Sequence, residues 1–378
     1  MYLHIIGTTI MKHEISYKRG ALPSQLILEL INAGYISGTD INNVKPGSLD
    51  LTLSDEVYKV EGIFQPKPSE TVRQVLEKIK KQKHSLEQPL LKDQMYVIRV
   101  NEKISLPKSV YAYCNPKSSS GRVDVHVRLL ADGVSRYDAV SSGFEGELWV
   151  SIVPKTFNVK MSVGQSYNQI RFFTSDTRFN DLELEVAMKQ HKLLWSSNSN
   201  KTYLFDDLKI SDKDGSIIQT LDLSGDIIGY VGRKTDKIID LGKVGHYKAS
   251  DFFKPIKKNG DFIYLKKGEF YILSTLEAVR VPPDLACEMV SMDERSGEFR
   301  SHYAGFIDPG WGWGSNGEGK GRQLTLEVRP FEDIIVRHNQ PIAKIKFERM
   351  IDIPHSLYDA IGSNYTIQSG PKLGKHFK

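Results

Sequence analysis

An internal duplication constrains this chain more than any other feature of its sequence. Several landmarks recur about 175 residues apart, which is long enough for one complete structural unit. A chain of 378 residues holds two such units, in keeping with roughly 100–200 residues per domain. The recurring pairs are Gln165 and Gln340, Phe172 and Phe347, Pro107 and Pro282, and, slightly farther apart, Arg122 and Arg300.

The pattern within each unit is that of short strands. Runs rich in β-branched and aromatic residues, among them MYVIRV, VDVHVRLL, GELWVSIV and NQIRFF, are separated by Gly, Pro, Ser and Asn. A Pro46-Gly47 turn and alternation of period two predict a further strand within 44–53. Helices are predicted over 23–36, 70–83 and 181–194. We therefore expect a mainly β protein with a few short helices.

The repeats also set the expected domain boundaries, and the polar stretch SSNSNK is the best linker candidate. The first residues read as an extension, and the sequence leaves open whether Met1 or Met11 is the true start. The expected divisions are an N-terminal extension over 1–20, a first repeat over 21–180, a helix and linker over 181–202, and a second repeat over 203–378.

Composition narrows the class of protein. The chain has 51 basic and 46 acidic residues, a net charge of +5, which favours an anionic small ligand but falls short of a nucleic-acid-binding surface. Its two cysteines, Cys114 and Cys287, are too few for a disulfide framework, and they cannot form the C-x-x-C of the zinc-dependent deaminase pattern. There is no secretory signal and no run of about 20 apolar residues. We expect a cytoplasmic protein that binds neither nucleic acid nor membranes.

The first candidate site is the polar turn KSSSGR, from Lys117 to Arg122. Its three serine hydroxyls can bind phosphate oxygens, and an arginine can hold such oxygens through two parallel hydrogen bonds. This composition predicts a phosphate-binding turn. A polar surface loop is the alternative.

Two further motifs lie close together in the second repeat. The loop GFIDPGWGWG brings Asp308 and two tryptophans into a tight turn, where a carboxylate can accept a hydrogen bond from a sugar hydroxyl and an indole can wall a pocket. In the strand LTLEVR that follows, alternation places Thr325 and Glu327 on one face. A carboxylate there is suited to act as a general base. The alternatives are a turn held by aromatic packing and a solvated strand carboxylate.

Taken together, these motifs resemble one family. The order SSSGR, GFIDPGW, LEV and NQ-x4-IKF is similar to that of the dCTP deaminase branch of the dUTPase-like fold. Residues 44–53 resemble its early P-x-S-L-D-L strand, and residues 365–371 resemble its Y-x-x-Q-x-G-P tail. The strings HYKASDFFKPI, EFYILSTLEAVRVPPDLACEM and ERSGEFRSHYAGFIDPGWGWG resemble the double-length bacterial form. The resemblance extends from about Leu22 to Pro371.

This resemblance implies a fold and a reaction. The fold would be a tandem of β-clip or distorted jelly-roll units. The reaction would be hydrolytic deamination of dCTP to dUTP and ammonia, which supplies pyrimidine deoxynucleotide synthesis. A glutamate, without zinc, would activate the water, and Mg²⁺ would be bound through the substrate triphosphate. The protein would be a homo-oligomer, with a trimer favoured by the family.

Functional residues of the family carry over by position. The resemblance makes Glu327 the catalytic base and implies no metal-ligating side chain. The implied phosphate-binding residues are Ser118, Ser119, Ser120 and Arg122 in the first repeat and Arg295, Ser296 and Arg300 in the second. The implied sugar- and base-binding residues are Asp308, Trp311, Thr325, Tyr358, Tyr365 and Gln368.

The chain departs from the family at three positions. Ser151 stands where the first repeat would need its counterpart of Glu327, so the pyrimidine pocket of that repeat is expected to be inactive. Glu298 adds a negative charge to the second phosphate loop, which opposes a triphosphate. Asn364 stands where single-unit relatives often carry a lysine. We infer that the second repeat binds base and sugar while the first supplies phosphate contacts, and an assembly of second repeats alone is the alternative.

Three other functions stay open at this point. A dUTP pyrophosphatase, or a bifunctional enzyme that makes dUMP directly, would typically stack a tyrosine on uracil, whereas the loop here carries tryptophan. A non-catalytic nucleotide-binding regulator on the same fold would bind dCTP without turning it over. A β-sandwich interaction domain fits the punctuated strands alone.

Overall fold

The chain is mainly β throughout residues 18–197, 199–292, 294–301, 305–362 and 369–378, the ranges that this computed structural model describes. Its α-helices there are short: α1 (Ser24–Asn32), α2 (Val72–Lys78), α3 (Ser118–Gly121), α4 (Asp181–His191) and α5 (Tyr358–Ile361). Single 3-10 turns lie at Ile41–Asn43, Phe205–Asp207, Ala249–Asp251 and Glu294–Ser296. The predicted fold class is confirmed.

The first repeat is built around one large sheet with the order β7-β9-β5-β3-β11-β6-β8. Strands β2 and β4 pair with β3, and β1 pairs with β5. The strands are β1 (Ile36–Ser37), β2 (Val44–Lys45), β3 (Ser48–Val60), β4 (Lys81–His84), β5 (Met95–Ser105), β6 (Tyr111–Pro116), β7 (Val125–Ala131), β8 (Ala139–Val140), β9 (Glu145–Pro154), β10 (Asn158–Lys160) and β11 (Ser166–Phe173).

The second repeat divides its strands between two main sheets, given below by strand order. Its strands are β12 (Leu194–Ser196), β13 (Ser216–Thr220), β14 (Ile227–Gly232), β15 (Ile238–Asp240), β16 (Phe253–Lys257), β17 (Phe262–Leu265), β18 (Tyr271–Val279), β19 (Leu285–Val290), β20 (Phe299–Ser301), β21 (Phe306–Ile307), β22 (Arg322–Pro330), β23 (Ile334–Arg337) and β24 (Pro341–Arg349). The orders are β16-β14-β18-β22-β20, with β12 beside β18, and β13-β24-β19-β21; β17 pairs with β23. Strands β10 and β15 pair in parallel and join the two repeats.

The duplication predicted from the sequence is visible in equivalent hydrogen bonds. Thr52 donates from its backbone N and its hydroxyl to the carboxylate of Glu102, at 2.9 and 2.8 Å. Thr220 donates in the same way to Glu277, at 2.9 and 2.7 Å. Since such a pair is buried and fully specified by geometry, its recurrence shows that the two repeats share a backbone arrangement.

Each repeat has its own apolar core, and the cores are linked. Leu51, Ile98 and Val150 belong to the first core, and Leu273, Leu326 and Phe347 to the second. Residues of the second repeat also pack into the first core. They are Ile239, Leu241, Phe252, Phe253, Phe270 and Ile272. The repeats therefore form one packed body rather than two units on a flexible linker.

The predicted helices are present but shorter than expected. Helix α1 ends at Asn32, before the predicted limit of residue 36. Helix α4 begins with an Asn180 capping box and ends at Lys192, whose φ of 53° is left-handed, so residue 194 already lies in a strand.

The prediction of a single helix over 70–83 is wrong at its C-terminal end. Helix α2 ends after Lys78, and β4 pairs with the segment Val57–Val60 of β3. The polar run KQKH has fair helix propensity, but the open hydrogen-bonding edge of β3 determines its structure.

Long apolar helices are missing from the ranges given above. In those ranges no helix has the length and hydrophobicity needed to cross a membrane.

Candidate functional site

A cleft of about 410 Å³ lies between the two repeats, and both repeats line it. Its walls bring together the turn KSSSGR of the first repeat and the loop and strand motifs of the second. From the first repeat come Lys45, Asp50, Lys117, Ser118, Ser119, Arg122 and Gln169; from the second come Met289, Phe306, Asp308, Trp311, Thr325, Glu327, Tyr358 and Lys375.

Glu327 lies in the middle of β22, and its side chain is almost fully buried at the cleft wall. Its Oε1 is 3.8 Å from Nε of Arg122. Arg122 follows directly after α3, and this residue is only 3% exposed. The carboxylate of the second repeat thus meets the guanidinium of the first inside one cleft. A charge pair so poorly solvated holds both side chains in defined positions.

A second ion pair fixes the same two elements against each other. Asp124 follows Arg122 by two residues, and Arg329 follows Glu327 by two; the two side chains form an ion pair. The Thr156 hydroxyl lies between them, donating to Asp124 and accepting from Nη2 of Arg329 at 2.8 Å. Burial raises the pKa of the Asp124 carboxyl, and Arg329 opposes that shift. This contact sets the spacing between Arg122 and Glu327.

Asp308 is held in place from beneath by Arg171. The Nη2 of Arg171 is 3.0 Å from Oδ1 of Asp308, and its Nη1 is 2.9 Å from Oε2 of Glu348. Nε of Arg171 donates to the Gly47 carbonyl at 3.1 Å, and Nη1 donates to the Cys287 carbonyl at 3.2 Å. Burial raises the pKa of Asp308, while Arg171 opposes that shift. Arg171 is fully buried and joins the two repeats directly under the cleft.

Sequence reasoning missed Arg171. It lies between Ile170 and Phe172 in β11, where period-two alternation predicts a side chain on the opposite, solvent-facing side of the strand. The structure instead buries this arginine completely. The sequence could not say that Asp308 and Glu348, more than 130 residues away, are its partners.

Several polar atoms in and around the cleft are buried and have no hydrogen-bond partner among the described residues. Such atoms are uncommon in folded proteins, and in a cleft they are the groups that a ligand would satisfy. They are Asp50 Oδ1, Ser120 Oγ, Trp311 Nε1 and Thr325 Oγ1.

Two aromatic side chains form part of the cleft wall. The rings of Trp311 and Tyr358 have centroids 5.1 Å apart. The backbone N of Tyr358 donates to the Pro309 carbonyl at 2.9 Å, which ties α5 to the loop that carries Asp308. Tyr365 and Gln368, also predicted to contact the ligand, lie outside the described residues.

The predicted phosphate-binding residues of the second repeat lie elsewhere. Arg300 lines a separate cavity of about 660 Å³, together with Glu298 and Arg128. Arg295 extends outward and pairs with Asp212 at 3.1 Å. Ser296 ends the 3-10 turn Glu294–Ser296. Of the two predicted phosphate loops, the structure thus brings only that of the first repeat into the cleft with Glu327.

The position of Ser151 is also clear. This serine lies in β9, almost fully buried, with Val97 and Arg128 as its neighbours across the sheet. It is not among the residues that line the cleft.

Metal-ligating side chains do not cluster in the part of the chain that the structure describes: no group there of three or more His, Cys, Asp or Glu residues is arranged to hold an ion. Cys114 and Cys287 are both buried, and burial raises the pKa of each thiol. Neither cysteine is therefore poised as a thiolate ligand or nucleophile.

Comparison with known proteins gives matches along most of the chain. The family model described as 2'-deoxycytidine 5'-triphosphate deaminase (DCD) N-terminal domain matches residues 18–176, and that described as the DCD C-terminal domain matches residues 184–377. The crystal structure of 2'-deoxycytidine 5'-triphosphate deaminase from Agrobacterium tumefaciens is 31% identical, with a TM-score of 0.80, and the match covers 89% of this chain and 100% of that one. No curated protein sequence matches this chain.

Proposed function

The chain belongs to the 2'-deoxycytidine 5'-triphosphate deaminase family, and we propose that it deaminates dCTP, hydrolytically and without zinc, in the cleft between its two dUTPase-like repeats. The observation that carries this proposal is the meeting of Glu327 and Arg122 at 3.8 Å. One repeat supplies a buried carboxylate, and the other supplies a turn of hydroxyls and a guanidinium. A nucleotide with its reactive ring at Glu327 and its anionic chain along the turn of hydroxyls matches this arrangement.

The reaction requires an oxygen to replace the amino group at C4 of cytosine. Water attacks C4 as Glu327 takes one proton from the water, and Glu327 then passes that proton to N3 to give a tetrahedral intermediate. The C4–N4 bond then breaks as the amino group leaves with the second proton of water. Glu327 is the cleft group placed to move these protons, because its carboxylate is held inside the strand and shielded from bulk solvent. The products are dUTP and ammonia.

The remaining residues of the cleft suit the rest of the nucleotide. Thr325, on the same strand as Glu327, and Trp311 carry buried atoms without hydrogen-bond partners among the described residues. Both line the cleft with Glu327, where the pyrimidine would bind. Asp308, held by Arg171, is suited to accept a hydrogen bond from the sugar hydroxyl. Ser118 and Ser119 line the end of the cleft where Arg122 and Lys117 provide positive charge for phosphates.

The residues of this cleft suit Mg²⁺ only when the ion is bound to the phosphates of the substrate. Mg²⁺ usually keeps several waters and binds one or two carboxylates together with substrate phosphates. Asp50 is the carboxylate at the phosphate end, and its Oδ1 accepts no hydrogen bond within the described residues. The ion would supply charge neutralisation to the triphosphate, with Asp50 available to hold it.

The assembly and compartment are also proposals. We propose a cytoplasmic homo-oligomer, with a trimer favoured by family resemblance, and no binding to nucleic acid or membranes. Sedimentation of the purified chain would test the trimer.

Product analysis with Glu327→Gln tests the proposed function. The wild-type protein should release ammonia and dUTP from dCTP. The amide keeps the shape of the side chain but cannot take a proton, so turnover should fall by ~10²–10⁴-fold with dCTP binding retained. Glu332→Gln, an exposed glutamate beyond the end of β22, is the matched control. Release of dUMP and pyrophosphate would identify a pyrophosphatase, and binding without turnover by the wild-type protein would identify a regulator.

A further inference from the structure

The C-terminal segment 369–378 reaches the phosphate end of the cleft. The backbone N of Gly370 donates to Oε1 of Gln323 at 2.9 Å, and Nη1 of Arg122 donates to the Lys372 carbonyl at 3.1 Å. Lys375 then lines the cleft beside Lys117 and Ser119. The last residues of the chain are therefore part of the wall of the site.

This segment is firmly anchored on both sides of Lys375. The backbone N of Gly245 donates to the Lys375 carbonyl at 2.8 Å, and the backbone N of His246 donates to the His376 carbonyl at 2.9 Å. The side chain of His376 is fully buried, with Nδ1 3.0 Å from the Lys243 carbonyl oxygen. Because the backbone is already anchored, binding a ligand through Lys375 costs little further ordering of the segment.

An aromatic cluster secures the end of the segment. The ring of Phe377 packs against Phe252 and Phe253, with centroids 5.7 and 5.3 Å apart. Those two phenylalanines belong to the first core. The terminus is thus packed on the same apolar body as the sheet that carries the serine turn.

Positive charge is concentrated at this end of the cleft. Lys117 pairs with Asp50, Arg122 lies 3.8 Å from Glu327, and Lys375 is a third cation near them. Burial and the nearby charge of Lys117 lower the pKa of Lys375. Cations brought together at such an energetic cost are typical of a site that binds a polyanion.

We propose that Lys375 is a phosphate-binding residue of the cleft, contacting the triphosphate chain beside Ser118, Ser119 and Arg122. This inference rests on the proposed function, because it takes dCTP as the ligand. It assigns the C-terminal segment a part in affinity for the triphosphate and none in the proton transfers at Glu327.

The test compares Lys375→Met with the wild-type protein. Methionine keeps the aliphatic stem, so the anchored segment should stay folded. Affinity for dCTP should fall roughly 10–100-fold, the value of a charge-assisted hydrogen bond, while affinity for deoxycytidine stays unchanged. Lys375→Arg should retain most of the affinity, because it keeps the positive charge. Lys378→Met, at the exposed end of the same segment, is the matched control and should behave as wild type.

Inorganic triphosphate separates this inference from the proposed function. The wild-type protein should bind inorganic triphosphate, and Lys375→Met should bind it more weakly by the same factor as dCTP. If Lys375→Met binds both dCTP and triphosphate like the wild-type protein, the role of Lys375 is overturned while deamination stands. If the wild-type protein does not deaminate dCTP but its triphosphate affinity depends on Lys375, the reaction fails and the phosphate contact stands.

Discussion

The partners of Arg122 in the cleft include the carboxylate of Glu327 and the carbonyl of Lys372. Replacing it with alanine should weaken the binding of dCTP far more than the binding of deoxycytidine, since only dCTP carries the triphosphate. Removing a charge-assisted hydrogen bond should lower the affinity for dCTP roughly 10–100-fold. Equilibrium binding of both ligands to Arg122→Ala measures the difference.

Arg300→Ala is the matched control for that measurement. Arg300 is the counterpart of Arg122 in the second repeat but lines the separate cavity. Its loss should leave both affinities close to those of the wild-type protein. A triphosphate-dependent loss in Arg300→Ala together with an unaffected Arg122→Ala would contradict the layout, and would favour sites formed among second repeats.

Glu348, the other partner of Arg171, makes stability depend on pH. Burial, with Glu288 nearby, raises the pKa of Glu348 from 4.5 to about 7. Between those values the unfolded chain has released a proton that the folded chain keeps, so stability contributed by this group falls as pH rises. Glu348→Gln removes the titration and keeps the acceptor for Arg171. From pH 5 to pH 8 the variant should gain stability relative to wild type by on the order of 1–3 kcal/mol.

Urea unfolding at both pH values measures this effect. The relevant quantity is the difference between variant and wild type, since other buried groups titrate in both proteins and cancel. Glu332→Gln, an exposed control, should show the same pH dependence as wild type. Parallel stability profiles for Glu348→Gln and the wild-type protein would show that Glu348 stays ionised in the folded chain.

At the residue scale, what could be predicted was set by local motifs. Glu327, Asp308 and Ser118 each lie in a recognisable string, and the structure brings them to one cleft. Arg171 and Asp124 act through partners on the other repeat, at separations no local pattern encodes. Residues of that kind become visible only when the packing of the repeats is known.

At the scale of elements, strands β9 and β22 occupy equivalent places in the two repeats but differ in what surrounds them. Val140 of β8 pairs with β6 as Ile307 of β21 pairs with β19, so Ser141 stands where the second repeat has Asp308. The first repeat thus lacks the Asp-Pro-Gly-Trp sequence as well as the glutamate. Restoring one carboxylate cannot rebuild that site.

The variant Ser151→Glu in a Glu327→Gln background tests this argument. Ammonia release should stay at the rate of Glu327→Gln alone. That rate should be ~10²–10⁴-fold below that of the wild-type protein, because the general base is missing. Ser151→Glu in the wild-type background is the control, because Ser151 lies outside the cleft but is almost fully buried. Its folding and turnover show whether the sheet accepts the added carboxylate, and they set the reference for the double variant. Recovery of wild-type turnover in the double variant would show that the first repeat holds a usable pocket.

Elements were predictable where one signal dominated. Alternation after a turn located β3, and runs of β-branched and aromatic residues between turn residues located β5, β9 and β11. The segment 81–84 was misassigned because its polar residues fit a helix and its strand pairing depends on β3, distant in the chain. Edge pairing of this kind is decided by tertiary structure.

At the scale of the whole molecule, the duplication was the most informative signal, since it predicted two structural units of similar length. The sequence could not decide which phosphate loop faces Glu327, because both loops keep serine and arginine. Only the negative charge of Glu298, which opposes a triphosphate in the second loop, favoured the first repeat as the source of the phosphate contacts. Within this chain the packing of the repeats places the turn of Arg122 beside Glu327, because Asp124 and Arg329 join that turn to the strand of Glu327.

A cleft assembled from both repeats of one chain also has a genetic consequence. Glu327→Gln and Arg122→Ala damage different repeats, yet both damage the same cleft. Mixing the two variant proteins, or expressing both alleles in one cell, should therefore restore no activity at low dCTP: the two lesions form a single complementation group. Restored turnover after co-expression would mean that the two halves of a working site come from different chains.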